Sequence, residues 1–204
     1  MHDDEKRWVI QSQQGNSDAF TNLVVKYQKQ VFSVCYRILG TPTAAEDAAQ
    51  EAFIRAYLAI DSYDINRSFA TWVLSIASNY CIDQIRKRKS IILSMDNEKY
   101  AWMVPPSQEP TPERVLLDQE KQAQVHALLE TLNETDRAAV VLQYWHDFSY
   151  NEIAETLSIS VSAVKSRLFR ARKTMAEEWQ KETTLTPQPS HLPSERIAHE
   201  SSTI

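Results

Sequence analysis

The chain has 204 residues, enough for one or two domains, and carries a net charge of −5. Its 43% hydrophobic and 24% charged residues are ordinary for a soluble globular protein. No apolar run approaches the ~20 residues that cross a bilayer, and the charged start MHDDEKRWVI lacks a signal-peptide core, so neither membrane insertion nor export is expected.

Only two glycines occur, too few for strands joined by tight turns, and apolar residues recur at helical spacing almost throughout. The pattern predicts helices over 4–13, 17–39, 44–60, 68–89, 112–131, 134–147, 150–157 and 161–180, with no strand. Thr43 with Glu46 and Ser149 with Glu152 have capping-box spacing. Thr111-Pro112 has the look of an N-cap followed by proline at the first helical position. Three prolines at 105, 106 and 110 argue against helix across residues 90–111. That stretch of 22 residues could reach at most ~70 Å when extended, about two turns of duplex. The expected organisation is all-α: a helical domain over 1–90, a flexible linker over 91–111, a second helical domain over 112–181, and a Pro/Ser/Thr-rich tail over 182–204 that is expected to be disordered. Cys35 and Cys81 lack CxxC spacing and are expected to be buried free thiols in a reducing cytoplasm.

Charge is uneven along this acidic chain. Residues 61–90 hold five positives against three negatives, and 149–175 hold five against two, while 91–148 hold four against ten. Local positive surfaces let a net-acidic protein bind nucleic acid.

The first basic cluster closes SFATWVLSIASNYCIDQIRKRK (68–89), about 33 Å long as one helix. Ala70, Val73, Leu74, Ala77, Tyr80, Cys81 and Ile85 form its apolar arc. Trp72, Ser75, Asn79 and Arg86 fall on the opposite line. An aromatic, a hydroxyl, an amide and a basic end suit unstacked bases and their backbone, with Lys87, Arg88 and Lys89 on phosphates. The competing explanation packs Trp72 on the preceding helix and lets the cations stabilise a helix C-terminus.

The second basic cluster lies in SYNEIAETLSISVSAVKSRLFRARKTM (149–175): a short amphipathic helix, a turn near Ser158–Ser160, and a longer basic helix. Ile153, Ala154, Leu157 and Ile159 can pack against Val164, Leu168 and Ala171. That is helix-turn-helix spacing, whose second helix enters the major groove. Ser162, Ser166, Phe169 and Lys173 lie on its outer face, flanked by Lys165 and Arg170. An outward Phe169 could meet a thymine methyl while its polar neighbours reach bases or phosphates. Arg167 and Arg172 sit nearer the packing edge, where phosphates or acidic neighbours would meet them.

TAAEDAAQEAFIRAYLAI (43–60) buries an alanine face. Its other side shows Asp47, Gln50, Glu51, Ile54 and Leu58, two aliphatics framed by acid and amide groups, as on a protein-binding face. No His shares this helix, and no nucleophile–base pair or phosphate-binding glycine loop appears elsewhere. Neither catalysis nor a cofactor or metal is expected.

At residues 8–90 and 112–178 the chain resembles a bacterial extracytoplasmic-function sigma factor of the sigma-70 family. The resemblance rests on three segments in order: GNSDAFTNLVVKYQKQVFSVCYRILGTPTAAEDAAQEAFIRAY, FATWVLSIASNYCIDQIRKRK and LQYWHDFSYNEIAETLSISVSAVKSRLFRARKTM. It implies a sigma factor that acts in the cytoplasm without chemistry of its own, in a stress or envelope response. Asp47, Gln50, Glu51, Ile54 and Leu58 match the segment docking on the β′ clamp helices of core RNA polymerase. Trp72, Ser75, Asn79 and Arg86, Lys87, Arg88 and Lys89 match the segment that melts and reads the promoter minus-10 element, Asn79 at the site of a flipped-out base. Ser162, Lys165, Ser166, Arg167, Phe169, Arg170 and Lys173 match the helix that reads the minus-35 element, in the domain that meets the β flap. Residues 90–111 match the segment threading towards the polymerase active centre. Such factors are commonly held inactive by an anti-sigma protein. Two other classes compete on the residues alone. A conventional DNA-binding regulator would sense a signal through residues 1–100 and bind duplex without polymerase, whereas a helical metal enzyme would purify with bound metal.

Overall fold

The computed structural model describes the backbone of residues 3–94 and 113–185 and the side chains of 4–91 and 122–181. The expected linker and tail lie largely outside these residues. Within them every regular element is helical: α1 (Asp3–Gln13), α2 (Ser17–Leu39), α3 (Pro42–Leu58), a 3-10 turn at Ile60–Ser62, α4 (Phe69–Ser94), α5 (Glu113–Glu130), α6 (Glu134–Trp145), α7 (Tyr150–Thr156) and α8 (Val161–Leu185). The fold class is all-α.

Helices α1–α4 form one group, with α2 packed between α1, α3 and α4. Asn16 starts α2 by accepting the Ala19 N–H at 3.1 Å, and Gly40 ends it in the left-handed region at φ 85°, its N–H donating to the Tyr36 carbonyl. The alanines of α3 explain its close approach to α2. Ala45, Ala48, Ala52 and Ala56 are buried with no long side chain to hold the helices apart. Val31, Val34, Ile38, Phe69 and Val73 fill the core beside them, each contributing about 1.5–3 kcal/mol through burial.

The second group centres on α6–α8, with Leu129, Leu142, Ile153 and Leu168 fully buried. Ser149 and Glu152 complete a capping box at the start of α7. The turn out of α7 is a Schellman motif: the Ile159 N–H reaches the Ala154 carbonyl and the Ser158 N–H reaches that of Glu155. Ser158 takes the left-handed position at φ 53°, where glycine is usual. Ser160 then accepts the Ala163 N–H at 3.2 Å and opens α8.

Several helix boundaries differ from those expected. Helix α3 begins at Pro42 after Thr41, which makes no side-chain cap bond. Thr43 is therefore inside the helix and forms no capping box with Glu46, because proline at the first position already presets the backbone. Helix α4 continues to Ser94, past the expected end at Lys89, since SIIL offers no breaker. Helix α6 stops at Trp145, short of the expected 147, and Asp147 has positive φ. Helix α8 runs to Leu185, past the expected end at 180, with no proline before 187 to stop it.

The two groups touch. Arg137 of α6 donates to the Ile38 carbonyl at the end of α2 at 2.8 Å. Arg37 lies over the Trp145 ring at 5.1 Å, and Tyr36 meets His126 edge-on at 4.3 Å. Helix α4 also packs against α6 and α7.

Candidate nucleic-acid and polymerase interfaces

Helix α8 presents a basic face to solvent. Its apolar stripe, Val164, Leu168 and Ala171, is buried against the preceding helices. That leaves Ser162, Lys165, Ser166, Arg170 and Lys173 exposed and Phe169 63% exposed. An aromatic so displayed on a helix whose core side is already filled is available to an outside partner. Arg167 is placed differently: it turns inward and pairs with Asp136 at 2.7 Å, which pins α8 to α6. Lys173 lies 3.8 Å from Glu177 on the same exposed face, a pair that leaves its ammonium available.

Helix α4 carries the second stripe. Asn79 is exposed, and Trp72 and Ser75 are half-buried. Trp72 joins an aromatic cluster with Tyr63 and Phe69, ring centroids 4.7 and 5.5 Å away. Its remaining surface lines a cleft of about 470 Å³ together with Ser75 and Asn79. Arg86, Lys87, Arg88 and Lys89 are all exposed. Because α4 runs on to Ser94, they do not occupy its last turn, which removes the helix-end explanation for their charge.

The opposite wall of that cleft comes from α7 and was not anticipated. Thr71 donates to Glu152 at 3.1 Å, Ser75 shares a 2.7 Å hydrogen bond with Thr156, and Arg67 pairs with Glu155. Further along α4, Lys89 and Arg86 both reach Glu134 at the start of α6, at 2.7 and 3.5 Å. The hydrogen bond from Lys89, then Glu134's own backbone N–H, pull that carboxyl down to about 2. In the sequence Glu134 and Glu152 are indistinguishable from ordinary first-turn residues of their helices, where carboxylates are favoured. The acid surplus over 91–148 hinted at Glu134 alone.

Helix α3 supplies the third surface. Ile54 is 55% and Leu58 78% exposed, with Asp47 and Gln50 exposed beside them. Glu51 is half-buried and bonded to Arg55 at 2.8 Å, whose guanidinium stacks 4.7 Å over Tyr80. Glu51 is thus turned towards α4, while Ile54 and Leu58 face outward.

Two family models match these same helical groups: sigma-70 region 2 over residues 23–91 and sigma-70 region 4 over 122–175. The chain is 38% identical over 181 residues to the ECF RNA polymerase sigma factor SigW of Bacillus subtilis, covering 85% of this chain and 95% of that one. The chain belongs to the extracytoplasmic-function sigma factors. This sigma factor is also 35% identical to the ECF RNA polymerase sigma-E factor of Escherichia coli K12, over 81% of this chain and 88% of that protein. Its fold matches CnrH in complex with the cytosolic domain of CnrY, with TM-score 0.64 and 24% identity over 88% of this chain and 99% of that one. It also matches the Bartonella quintana sigma factor RpoE in complex with the anti-sigma factor NepR, with TM-score 0.61 and 22% identity over 79% and 96%. Sigma factors are not enzymes. Among the described residues no group of His, Cys, Asp and Glu could hold a metal ion, and no helix is long and apolar enough to cross a membrane.

Proposed function

We propose that this sigma factor binds core RNA polymerase in the cytoplasm and directs it to promoters carrying a minus-10 and a minus-35 element. One observation carries the assignment of surfaces. The segments matching region 2 and region 4 each display a solvent-facing helix with aromatic and basic side chains on the line their resemblance implied. In this reading α8 enters the major groove at minus-35, with Lys165, Ser166, Phe169 and Arg170 at base edges and Ser162 and Lys173 on the backbone. Arg167, tied to Asp136, orients that helix. On α4, Asn79 and Ser75 hold an unstacked minus-10 base beside Trp72, and Arg86, Lys87, Arg88 and Lys89 hold phosphates. Asp47, Gln50, Ile54 and Leu58 of α3 form the polymerase docking surface, with Glu51 supporting it through Arg55. The group up to the end of α4 and the group from α5 to α8 act as the two promoter-binding domains. In this reading the residues between them lead towards the polymerase active centre, and the second domain meets the β flap. An anti-sigma protein is the expected inhibitor, since CnrH and the Bartonella factor are each seen with a protein partner.

Run-off transcription tests this directly. Purified protein is added to sigma-free core polymerase on a pool of genomic fragments from the source organism. Discrete transcripts that require the protein are expected. Their absence with an active core, together with no core binding, would return the chain to the conventional-regulator class.

A further inference from the structure

The loop that leads into α4 is tied down from α1. The segment IDSYDINRS (60–68) contains no glycine or proline, so no residue type in it presets its path. Arg67 and Ser68 of this loop line the same cleft as Trp72, Ser75 and Asn79, and α4 begins directly after it at Phe69. Tyr63, only 5% exposed, is the fixed point of the loop and is held in four ways. Its N–H donates to the Ile60 carbonyl at 3.1 Å. Its hydroxyl spans the bend and donates to the Arg67 carbonyl at 2.6 Å. Its ring centroid stands 4.7 Å from that of Trp72 and 5.6 Å from that of Phe69. Its carbonyl accepts the side-chain N–H of Gln13 at 2.9 Å, and the same amide nitrogen donates to the Ile60 carbonyl at 3.0 Å. Gln13 closes α1, 50 residues away. That helix is in turn seated on α2 by Glu5, which accepts the Tyr27 hydroxyl at 2.7 Å and pairs with Lys26.

We propose that Gln13 and Tyr63 are positioning residues for capture of the unstacked minus-10 base: Gln13 braces the loop from α1, and Tyr63 carries that brace to Arg67 and to the ring of Trp72. The proposal rests on the minus-10 reading of α4 given above. Tyr63 is too buried to touch DNA itself. Gln13 is half-buried, with its amide nitrogen committed to two loop carbonyls. Each therefore acts through the groups it holds. The gain is pre-organisation. A loose loop would lose its conformational freedom as the base enters, and that loss would oppose capture. A loop already ordered by α1 presents its side chains and the Trp72 ring to the base in one geometry. Selectivity follows from the same rigidity, because a fixed rim refuses a base of the wrong shape where a loose one would yield.

The test uses reconstituted holoenzyme and a promoter recovered by the run-off assay. Opening is followed by permanganate reactivity and closed-complex formation by gel mobility. Gln13→Met keeps the length and bulk of the side chain and removes the donor, and Tyr63→Phe removes only the hydroxyl. Each should slow opening about three- to tenfold, with closed-complex formation unchanged within about twofold. Because both hold one loop, the double variant should be slowed by less than the product of the two single effects. In each variant the ratio of opening rates between the parent promoter and one substituted at the captured base should narrow by about threefold. Val34→Ala separates this from a loss of stability, since it opens a cavity at a fully buried position of α2 in the same helical group. It should lower the urea midpoint yet open the promoter at the parent's rate and with the parent's selectivity. Parental opening in both single variants, or equal slowing and narrowing in Val34→Ala, overturns the brace. Asn79→Ala, run alongside, separates the two levels. If it slows opening while Gln13→Met and Tyr63→Phe do not, the brace alone falls. If none of the three slows opening, the minus-10 reading falls and takes the brace with it.

Discussion

Arg167 and Arg170 stand three positions apart on one helix and have different duties. Arg167 is partly buried against Asp136, and losing it would strand a carboxylate that is itself nearly buried. Arg170 points to solvent and has no structural duty that folding would miss. The distinction was half legible in the sequence: helical periodicity put Arg167 near the packing edge, but nothing in the local pattern named Asp136, 31 residues away. Replacing Lys165 and Arg170 by Ala should therefore leave the melting temperature and core-polymerase affinity unchanged. It should weaken minus-35-dependent transcription by about 1–3 kcal/mol per lost base contact. Competition between promoters with and without a minus-35 element measures this, and equal loss of polymerase binding would remove the assignment. Asn79 makes the parallel case on α4. It is exposed at the rim of the cleft, so Asn79→Ala should slow promoter opening, read by permanganate footprinting, by about tenfold through lost hydrogen bonds to a captured base. Closed-complex formation should be nearly unaffected, and normal opening would count against base capture.

Helices were legible where local chemistry acts alone and blurred where it does not. The capping box at Ser149 and Glu152 was readable because both partners sit within one turn. Removing it in Ser149→Ala should cost about 1 kcal/mol, seen as a lower urea midpoint with an unchanged slope. An unchanged midpoint would mean that packing against α8 already fixes the start of α7. The Thr43–Glu46 pair has the same spacing yet forms nothing, because the helix starts at Pro42, two residues before the expected 44. Ser158 shows a further limit. The turn of the helix-turn-helix was located from its flanking apolar residues, although the residue at φ 53° is not glycine. What stayed hidden was the far wall of the minus-10 cleft. Contacts such as Thr71–Glu152 and Ser75–Thr156 join residues 81 apart. Periodicity assigns a face to each helix separately and does not say which faces meet.

The seam between the two helical groups gives the whole molecule a pH response in two windows. His146 follows α6, with its Nε2 buried and without a hydrogen-bond partner. Burial, then the nearby Arg37 cation, push its pKa from 6.5 down to about 4, against a smaller pull from Asp147. The unfolded chain therefore binds the proton first. Stability is full above about pH 6.5 and declines as pH falls towards 4, because protonation of the ring favours unfolding. The loss is on the order of 2 kcal/mol once partial solvent access is discounted. Glu134 works in the next window. Its folded pKa of about 2 lies below the ordinary 4.5, so its contribution is present above about 4.5 and is lost as pH falls towards 2. Urea midpoints measured from pH 7.5 to 2.5 should thus decline in two successive steps. His146→Leu should shrink the upper step, since it removes one titrating ring and leaves no unpaired polar atom, while His126, also pushed down by burial, keeps a remainder. Glu134→Gln should shrink only the lower one, in which Glu152 also takes part, held down against its burial by hydrogen bonds from Ser149 and Thr71. Because Glu134 ties α6 to Arg86 and Lys89 of α4, its step should shrink in added salt, whereas the His146 step, set chiefly by burial, should persist. Equal salt sensitivity of both steps would mean that His146 responds to the charges around it and not to its burial.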